Sequence, residues 1–278
     1  MLNRIARIAK NFLDTTGVAA GSARASAFNA NRQFFTNIQS SARAGEPGRL
    51  LSFTRRVFSQ GVEDGMLEEI FRRVGISTNT VVEVGCGNGL ENNSMYLLFQ
   101  GWRALWIDAN STNIAEARKT HKKWLDSGLL SLLNIRVTDA NVDASIGAFA
   151  KVPGDALDLL SIDIDSYDYW VLESALRSCN PRVISVEYNG QFAPPLAITV
   201  PNGAPIGGSF YGASLCAFEK LLADRYCLVG CTPNGVNAFF VRKDLDLSSF
   251  AAPYNSQNHF EPWAFEQLPA FDVNWVQV

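Results

Sequence analysis

Carboxylate side chains follow two of the apolar runs in this chain. In DLLSIDIDSYDYW an apolar strand pattern runs into Asp163 and Asp165, and a later apolar run ends in VEYNG, which supplies Glu187 and Asn189. Carboxylates gathered at one place can remove the proton of a hydroxyl as a general base. Together with an amide oxygen they can instead hold a divalent cation such as Mg²⁺, which lowers the pKa of a bound hydroxyl. Both designs stay open: the candidate catalytic acids are Asp163, Asp165 and Glu187, and the candidate metal ligands are Asp163, Glu187 and Asn189.

Two acids of this region also have a structural explanation. Asp165 and Asp168 stand where the next helix is predicted to begin, and an acid there can cap the free N–H groups of the first turn. Asp163 precedes the turn, so capping explains it less well. A further candidate for a general base is His259, in the stretch NSQNHFEPW, whereas His121, in the charged stretch ARKTHKKWLD, is predicted to be solvent-exposed.

A second set of residues is spaced as a nucleoside site requires. The stretch VVEVGCGNGL leaves a predicted strand through Gly85, Gly87 and Gly89, and glycines at such a turn let the backbone approach a ligand closely. The spacing is GxGxG, not the GxGxxG that brings a pyrophosphate onto a helix start. Glu83, inside the strand, needs a partner if it is buried, and a cationic ammonium group is a suitable one.

Two more acids end the following strands. RALWIDAN ends in Asp108, nineteen residues after Gly89 and directly before Ala109, and an acid at this distance can accept hydrogen bonds from both hydroxyls of a ribose. NIRVTDAN ends in Asp139, where a carboxylate can meet an adenine amino group. Because ligands of open α/β sheets bind at the carboxyl ends of the strands, the three positions together predict an adenosyl site.

Alternating strands and helices must position these residues. From residue 81 onward the apolar periodicity alternates between short continuous runs and helical patterns, which is typical of a parallel sheet covered on both faces. The predicted strands cover residues 81–85, 103–108, 132–138, 157–163, 182–188, 226–232 and 236–244. The last two are separated by Pro-Asn-Gly, a β-hairpin signal. We therefore predict an α/β fold with a Rossmann-like, doubly wound, mostly parallel seven-stranded sheet that ends in an antiparallel hairpin, preceded by an N-terminal helical extension.

With this glycine motif, Asp108, Asp139 and the final hairpin, the chain resembles the class I S-adenosylmethionine-dependent methyltransferases over roughly residues 59–244. The stretch FSQGVEDGMLEEIF is similar to the SQ-x-x-EDG stretch that opens FkbM-like methyltransferase domains, whose members O-methylate hydroxyls on sugars and polyketides. The resemblance implies S-adenosylmethionine as cofactor, with Gln60 and Asp64 near its methionine part. The chain departs from the family after the fourth strand, where FkbM-like proteins carry Asp-Val-Glu-Gly and this chain has Asp-Ile-Asp-Ser.

The acidic strand ends also resemble a known metal site. Catechol-type and caffeoyl-coenzyme-A-type O-methyltransferases pair an Asp at the fourth strand with Asp-Asn at the fifth. Here the corresponding residues are Glu187 and Asn189, separated by Tyr188. Because side chains alternate between the two faces of a regular strand, the extra residue turns one of the two side chains to a different face than in the adjacent Asp-Asn pair of those enzymes. The resemblance implies a divalent cation, with Mg²⁺ as the candidate.

Length and composition bound the class of protein. A chain of 278 residues with 47 % hydrophobic content is long enough to bury a substantial core. No stretch approaches the roughly 18–20 consecutive apolar residues of a membrane span. The five cysteines form no CxxC pair, which argues against a disulfide framework or a zinc cluster and favours a reducing compartment. The sequence thus predicts a soluble protein of the cytoplasm.

The charges are distributed unevenly along the chain. Residues 1–56 carry a net charge of +7, and the remainder carries −10. The opening LNRIARIAKNFL has the pattern of a basic amphipathic helix, and three interpretations stay open: an organelle-targeting presequence, a helix that contacts a membrane surface or a partner, and a cap on the main domain. We predict an N-terminal extension at 1–50, a catalytic domain at 51–249 and an aromatic wrap at 250–278.

The leading prediction is an S-adenosylmethionine-dependent methyltransferase that acts on a hydroxyl of a small molecule, a sugar or a natural-product intermediate. Alternatives are N-methylation, an intramolecular displacement on the cofactor, a nucleic-acid methyltransferase or binding module, and a pseudoenzyme that binds the nucleoside to regulate a partner. The acidic catalytic domain argues against nucleic acid because it repels a phosphate backbone. The identity of the acceptor and the oligomeric state are not encoded in any motif that we identify.

Overall fold

The computed structural model describes residues 33–150, 157–203, 212–264 and 276–277. The predicted basic helix at the start of the chain lies outside these residues. Among the helices that are described, none is both long and apolar enough to cross a bilayer. All five cysteines are free thiols.

Helices and strands alternate along most of the described chain. The helices are α1 (described over 33–39), α2 (Glu63–Val74), α3 (Met95–Phe99), α4 (Ser111–Thr120), α5 (Lys122–Asp126), α6 (Val142–Ala150), α7 (Asp168–Ala175), α8 (Leu215–Leu222) and α9 (Ser256–His259). The strands are β1 (Thr80–Val84), β2 (Arg103–Asp108), β3 (Leu130–Asn134), β4 (Leu159–Ile162), β5 (Val183–Glu187), β6 (Ile198–Thr199), β7 (Tyr226–Cys231), β8 (Asn237–Arg242) and β9 (Val276–Gln277).

The seven long strands form one sheet in the order β3-β2-β1-β4-β5-β8-β7. The first five are parallel, and β8 runs antiparallel to both β5 and β7. This arrangement confirms the predicted Rossmann-like sheet with its closing hairpin. The strand order reverses between β1 and β4, so a crevice opens there at the carboxyl ends of the strands. The short strands β6 and β9 pair separately.

Both faces of the sheet are buried, as the continuous apolar strands predict. Successive side chains of a strand point to opposite faces, and in β1 Val81 belongs to the apolar cluster that contains α2, whereas Val82 belongs to the one that contains α7. Trp106 in β2 has no exposed surface. The sheet is therefore a rigid base from which the strand ends project.

Strand β3 ends earlier than predicted. It stops at Asn134, which pairs with the last residue of β2, Asp108. The side chain of Asn134 donates to the Asp108 carbonyl at 2.9 Å. Beyond it the chain bends, and the Asn141 side chain holds the bend by accepting from the Thr138 N–H at 2.8 Å. As a result Asp139 lies past the edge of the sheet, not at a strand end.

The helix predicted over 111–126 is interrupted at His121, and this histidine is not solvent-exposed as predicted. It is only 2 % exposed, and its ring packs edge-on against Trp106 with 5.1 Å between ring centroids. A Cβ at Gly89 would lie 2.3 Å from the Trp106 ring and 2.9 Å from His121 Nε2. The absence of a side chain at Gly89 thus lets both rings pack beneath the glycine turn.

Candidate functional site

A cleft of about 1720 Å³ lies at the carboxyl ends of the parallel strands. At one end, which we call the glycine end, it is lined by the turn after β1 and by Asp108. At the other end, the acid end, it is lined by Asp163, Asp165 and Glu187. The sequence predicted both sets of residues, and the fold brings them into one cleft.

The glycine turn is shaped by close contact with the neighbouring strand. Gly85 has φ +88°, and a Cβ there would lie 1.6 Å from the carbonyl oxygen of Asp163. Gly87 has no atom within 4 Å of its Cβ position and lines the cleft. The first glycine therefore joins the two ends of the cleft, and the second leaves room for a ligand. Gly89 serves the packing of Trp106 and does not line the cleft.

Asp108 is held in place by the backbone around it. Its Oδ2 accepts from the Gly87 N–H at 2.8 Å, and its Oδ1 accepts from the Asn110 N–H at 2.7 Å and from Asn113 Nδ2 at 3.3 Å. The carboxylate is partly exposed to the cleft, which Ala109 also lines. A carboxylate can accept about four hydrogen bonds, so Asp108 keeps acceptor capacity for a ligand.

Glu83 is buried, and its partners come from its own chain. It is 3 % exposed and accepts hydrogen bonds from Asn92 Nδ2 at 2.7 Å, the Asn93 N–H at 2.8 Å, the Ser94 N–H at 3.0 Å and the Ser94 hydroxyl. Burial raises its pKa to about 7. The residue lines the cleft. The sequence suggested a cationic ammonium group as the partner of Glu83, but the carboxylate is already paired with these donors of the chain.

The acid end is assembled by the register of two parallel strands. Ile162 of β4 pairs with Val186 of β5, so the residues that follow, Asp163 and Glu187, lie side by side at the carboxyl ends of the two strands. Asp165 has φ +66°, a left-handed conformation that Asp tolerates better than most residues. One carboxylate oxygen from each of these three acids lies within 4.8 Å of the others.

Burial and neighbouring charge raise the pKa values of two acids of this end, Asp163 and Glu187. Burial and the charge of Asp165 raise the pKa of Asp163 to about 6. Burial and the charge of Asp163 raise the pKa of Glu187 well above its ordinary value. Among the described residues, Glu187 Oε2 has no hydrogen-bond partner. Neighbouring carboxylates that lack donors must share a proton or bind a cation, so this end can take up a proton or hold a metal ion.

Asp168 closes the turn behind the acid end. It is completely buried at the start of α7, and its Oδ1 accepts from the Ile164 N–H at 2.9 Å. Burial and the charge of Asp163 raise its pKa to about 7. It does not line the cleft and is the first residue of α7. The hydrogen bond that it accepts comes from the loop before the helix, not from the first turn as the capping prediction expected.

Polar residues that the sequence did not suggest also line the cleft, among them Glu63, Asn234 and Asn237. Glu63, in the first turn of α2, accepts from the Gly61 N–H at 3.1 Å and from Asn237 Nδ2 at 3.0 Å. The antiparallel hairpin explains the two asparagines, because β8 runs against β5 and Asn237 pairs opposite Glu187. The Pro-Asn-Gly signal of the hairpin turn could have predicted this position.

Two predicted residues are occupied elsewhere. Asp64 Oδ2 accepts from the backbone N–H groups of residues 57, 58 and 59 at 2.7–2.8 Å, so Asp64 shapes the loop before α2 while Gln60 and Glu63 line the cleft. Asn189 is 2 % exposed, and its Oδ1 accepts from the Gln191 N–H at 3.0 Å. It does not line the cleft. The third member of the cluster with Asp163 and Glu187 is therefore Asp165, not Asn189 as the sequence suggested.

The fold does not bring Asp139 and His259 into the cleft either. Next to Asp139 the cleft is lined by the residues at 135–137. His259 is 3 % exposed and donates from Nε2 to the Ala251 carbonyl at 2.9 Å. Burial and the charge of Arg49 lower its pKa to about 4. The ring is therefore neutral near pH 7, and its Nε2 proton is engaged in a structural hydrogen bond.

Several solved structures resemble this fold at low sequence identity. One is the magnesium protoporphyrin IX methyltransferase of Synechocystis PCC 6803 with bound S-adenosylmethionine, at 15 % identity over 65 % of this chain and 78 % of that chain, with a TM-score of 0.43. Another is a putative rRNA methylase of Clostridium thermocellum, at 17 % identity over 64 % and 94 %, with a TM-score of 0.38. A third is the glycopeptide N-methyltransferase MtfA, at 13 % identity over 69 % and 95 %, with a TM-score of 0.40. These likenesses are too distant to indicate what this chain binds. No protein-family model and no curated protein matches the sequence.

Proposed function

We propose that this protein is an S-adenosylmethionine-dependent methyltransferase whose acceptor is a hydroxyl group of a small molecule, a sugar or a natural-product intermediate. The observation that carries the proposal is the carboxylate of Asp108, fixed across the glycine turn by the Gly87 N–H at 2.8 Å. It faces the same cleft as the acids at 163 and 187. A diol-binding acid and a proton-accepting cluster thus share one cleft.

The start of the next helix favours a nucleoside without a pyrophosphate. A dinucleotide fold places the free N–H groups of a helix start at the glycine turn. Here α3 begins only at Met95, and the N–H groups of Asn93 and Ser94 before it are bound by Glu83. They are not available to a phosphate, which agrees with a ligand that carries a sulfonium in place of a pyrophosphate.

The cofactor would be held along the glycine end. Asp108 would accept from the ribose hydroxyls, Gly85, Gly87 and Ala109 would leave room for the nucleoside, and Gln60 lines the path toward the acid end. Bound S-adenosylmethionine supplies an activated methyl group. The chain itself then has to align an acceptor with that group and exclude competing water.

The acid end would prepare the acceptor hydroxyl. The carboxyls of Asp163 and Glu187 lie within hydrogen-bonding reach of each other, and their raised pKa values suit a general base that works near neutral pH. The pair would take the hydroxyl proton, so that the oxygen keeps the electron pair. The activated methyl group that the cofactor supplies would pass to this oxygen as its bond to sulfur breaks, and the sulfur would keep that electron pair.

A divalent cation fits the same three acids. Asp163, Asp165 and Glu187 each offer one carboxylate oxygen within 4.8 Å of the others, and hard oxygens are the ligands that Mg²⁺ prefers. These residues would hold the ion, which would lower the pKa of the acceptor hydroxyl. Exhaustive treatment with a chelator separates the two versions, because loss of turnover that Mg²⁺ restores requires the metal version and unchanged turnover excludes it.

Calorimetry with S-adenosylmethionine and S-adenosylhomocysteine tests the cofactor. We expect wild-type protein to bind both, and Asp108→Ala to weaken binding by about tenfold or more, since hydrogen bonds to charged groups contribute roughly 1.5–3 kcal/mol. Asp139→Ala is the matched control, because Asp139 lies outside the cleft, and we expect its affinity to equal that of wild type. Absence of binding by the wild-type protein would refute the proposed function.

A further inference from the structure

A recess beside the acid end offers hydrogen-bond acceptors to the cleft and is formed by Glu63, Asn234 and Asn237. These residues are only 2 %, 7 % and 4 % exposed, respectively, and each lines the cleft. Their burial makes unpaired polar atoms costly. The chemistry of their free atoms therefore indicates what the recess binds.

The orientation of the Asn237 amide follows from its neighbour. Its Nδ2 donates to Glu63 Oε1 at 3.0 Å, and Glu63 Oε2 accepts from the Gly61 N–H at 3.1 Å. Because the amide nitrogen is engaged with the carboxylate, Oδ1 is the atom left over. Among the described residues, Asn237 Oδ1 has no hydrogen-bond partner, and neither has Asn234 Oδ1. Two buried amide oxygens and a carboxylate thus remain as acceptors.

Within the part of the chain that the structure describes, the recess itself contains no cationic side chain. The arginines that line the described cleft are Arg56 and Arg136, and Arg56 is paired with Glu91 at 2.7 Å. Glu63 instead adds to the negative charge felt by Asp163. A ligand group that donates hydrogen bonds and carries positive charge would therefore complement the recess.

The segment that closes the recess adds an aromatic side chain. The Ala264 N–H donates to the Asn234 carbonyl at 3.1 Å, and the Trp263 N–H donates to the Gly190 carbonyl at 3.0 Å. Trp263 lines the cleft next to this attachment. Trp263 therefore adds an aromatic side chain to the same cleft, and the face of an indole ring can attract an ammonium group.

We propose that the recess of Glu63, Asn234 and Asn237 binds a primary ammonium group of a ligand in the methyl-transfer cleft, an inference that rests on the proposed function. A primary ammonium has three N–H donors and no acceptor, and the recess presents one acceptor on each of its three residues. Two ligands of such an enzyme can supply the group: the amino-acid part of the cofactor, or an amine on the acceptor molecule.

Matched ligand pairs test the proposal by calorimetry. The first pair is 5′-(3-aminopropylthio)adenosine and 5′-(propylthio)adenosine, which differ only in the terminal ammonium. The second pair is glucosamine and glucose, offered to the protein in the presence of S-adenosylhomocysteine. We expect wild-type protein to prefer the ammonium-bearing member of at least one pair by about tenfold, as a charge-assisted hydrogen bond provides. A preference in the first pair assigns the cofactor as the source, and one in the second assigns the acceptor.

Variants connect that preference to the recess. Glu63→Gln keeps the shape of the side chain without its charge. Asn234→Ala removes an oxygen that has no partner in the described structure, and this second variant tests the recess even if Glu63→Gln folds poorly. Both are expected to abolish or reduce the preference. Glu68→Gln is the matched control, since Glu68 lies on the same helix, outside the cleft lining, and pairs with Arg55 at 2.6 Å.

Three results would overturn the inference. The first is that wild-type protein shows no preference in either ligand pair, and the second is that both recess variants retain the wild-type preference. The third comes from a separate titration with Mn²⁺: if Glu63→Gln loses Mn²⁺ binding as fully as Asp163→Asn does, the recess is part of a metal site. If neither adenosine derivative binds, the proposed function fails, and the sugar pair still decides whether the recess selects an ammonium group.

Discussion

The two ends of the cleft treat their acids in opposite ways. At the glycine end, Glu83 and Asp108 receive hydrogen bonds from N–H groups that lie 2 to 21 residues away along the chain. At the acid end, Asp163 and Glu187 face each other, and one oxygen of Glu187 has no partner within the described structure. The comparison teaches that the chain itself holds the acids of the first end in fixed positions, with acceptor capacity left over on Asp108, whereas the acids of the second end lack such donors and can take up a proton or a ligand.

The largest effect is expected at the junction of the two ends. Gly85→Ala would place a Cβ at 1.6 Å from the Asp163 carbonyl oxygen, a clash with backbone that no rotamer relieves. We expect loss of soluble folded protein. Gly87→Ala is the matched control: it has positive φ but no atom within 4 Å of the Cβ position, so it should cost only about 1–2 kcal/mol. Urea denaturation measures both, and similar losses for the two variants would contradict the close contact.

Substitution of one acid from each end should change stability in opposite directions. Glu83→Ala leaves the N–H groups of Asn93 and Ser94 unpaired and is expected to lower the free energy of unfolding by about 2–4 kcal/mol. Asp163→Asn removes a buried charge next to Glu187 and is expected to raise it by roughly 1 kcal/mol. Chemical denaturation at pH 7.5 compares them. A loss of stability in both variants would contradict the claim that Glu83 stabilises the fold whereas the charge of Asp163 destabilises it.

The acid end should also make stability depend on pH. The folded-state pKa values of Asp163 and Asp168 are raised from 3.8 to about 6 and about 7, so the folded protein binds these protons more tightly than the unfolded chain. Their contribution is therefore full below about pH 4 and is lost as pH rises toward 7. We expect the free energy of unfolding to fall between pH 5 and 7.5, and to fall less in Asp163→Asn. Equal slopes in the two proteins would assign the dependence to other groups.

The smallest effect on the cleft is expected from the histidine that the sequence suggested as a base. His259→Ala removes the hydrogen bond to the Ala251 carbonyl and should cost about 1–3 kcal/mol of stability, because it leaves a buried polar group without its partner. Since His259 does not line the cleft, affinity for S-adenosylhomocysteine should change less than twofold. Calorimetry measures the affinity, and a tenfold loss of affinity would indicate that His259 does contribute to the binding site.

The fold and half of the site are encoded in local patterns of the sequence. Continuous apolar runs, glycine turns and the Pro-Asn-Gly hairpin signal suffice to predict the seven-stranded sheet, because strand pairing follows from burial on both faces. The positions of Asp108, Asp163 and Glu187 in the cleft follow from the same rule, since the ends of parallel strands meet at one edge. These residues needed no knowledge of distant contacts.

Tertiary structure alone decided the rest. His121 appears in a charged stretch, but a missing side chain at Gly89 makes room for it under the turn. Asp64 and Glu63 are adjacent in the sequence, yet one binds the loop before α2 and the other meets Asn237 from a hairpin 174 residues away. Whether a buried acid is satisfied depends on the donors that the folded chain brings to it, from the preceding loop at Asp64 and from a distant hairpin at Glu63. Spacing along the chain alone does not specify them. The sequence by itself therefore determined which strand ends meet, and the folded chain determined which of their acids remain free for chemistry.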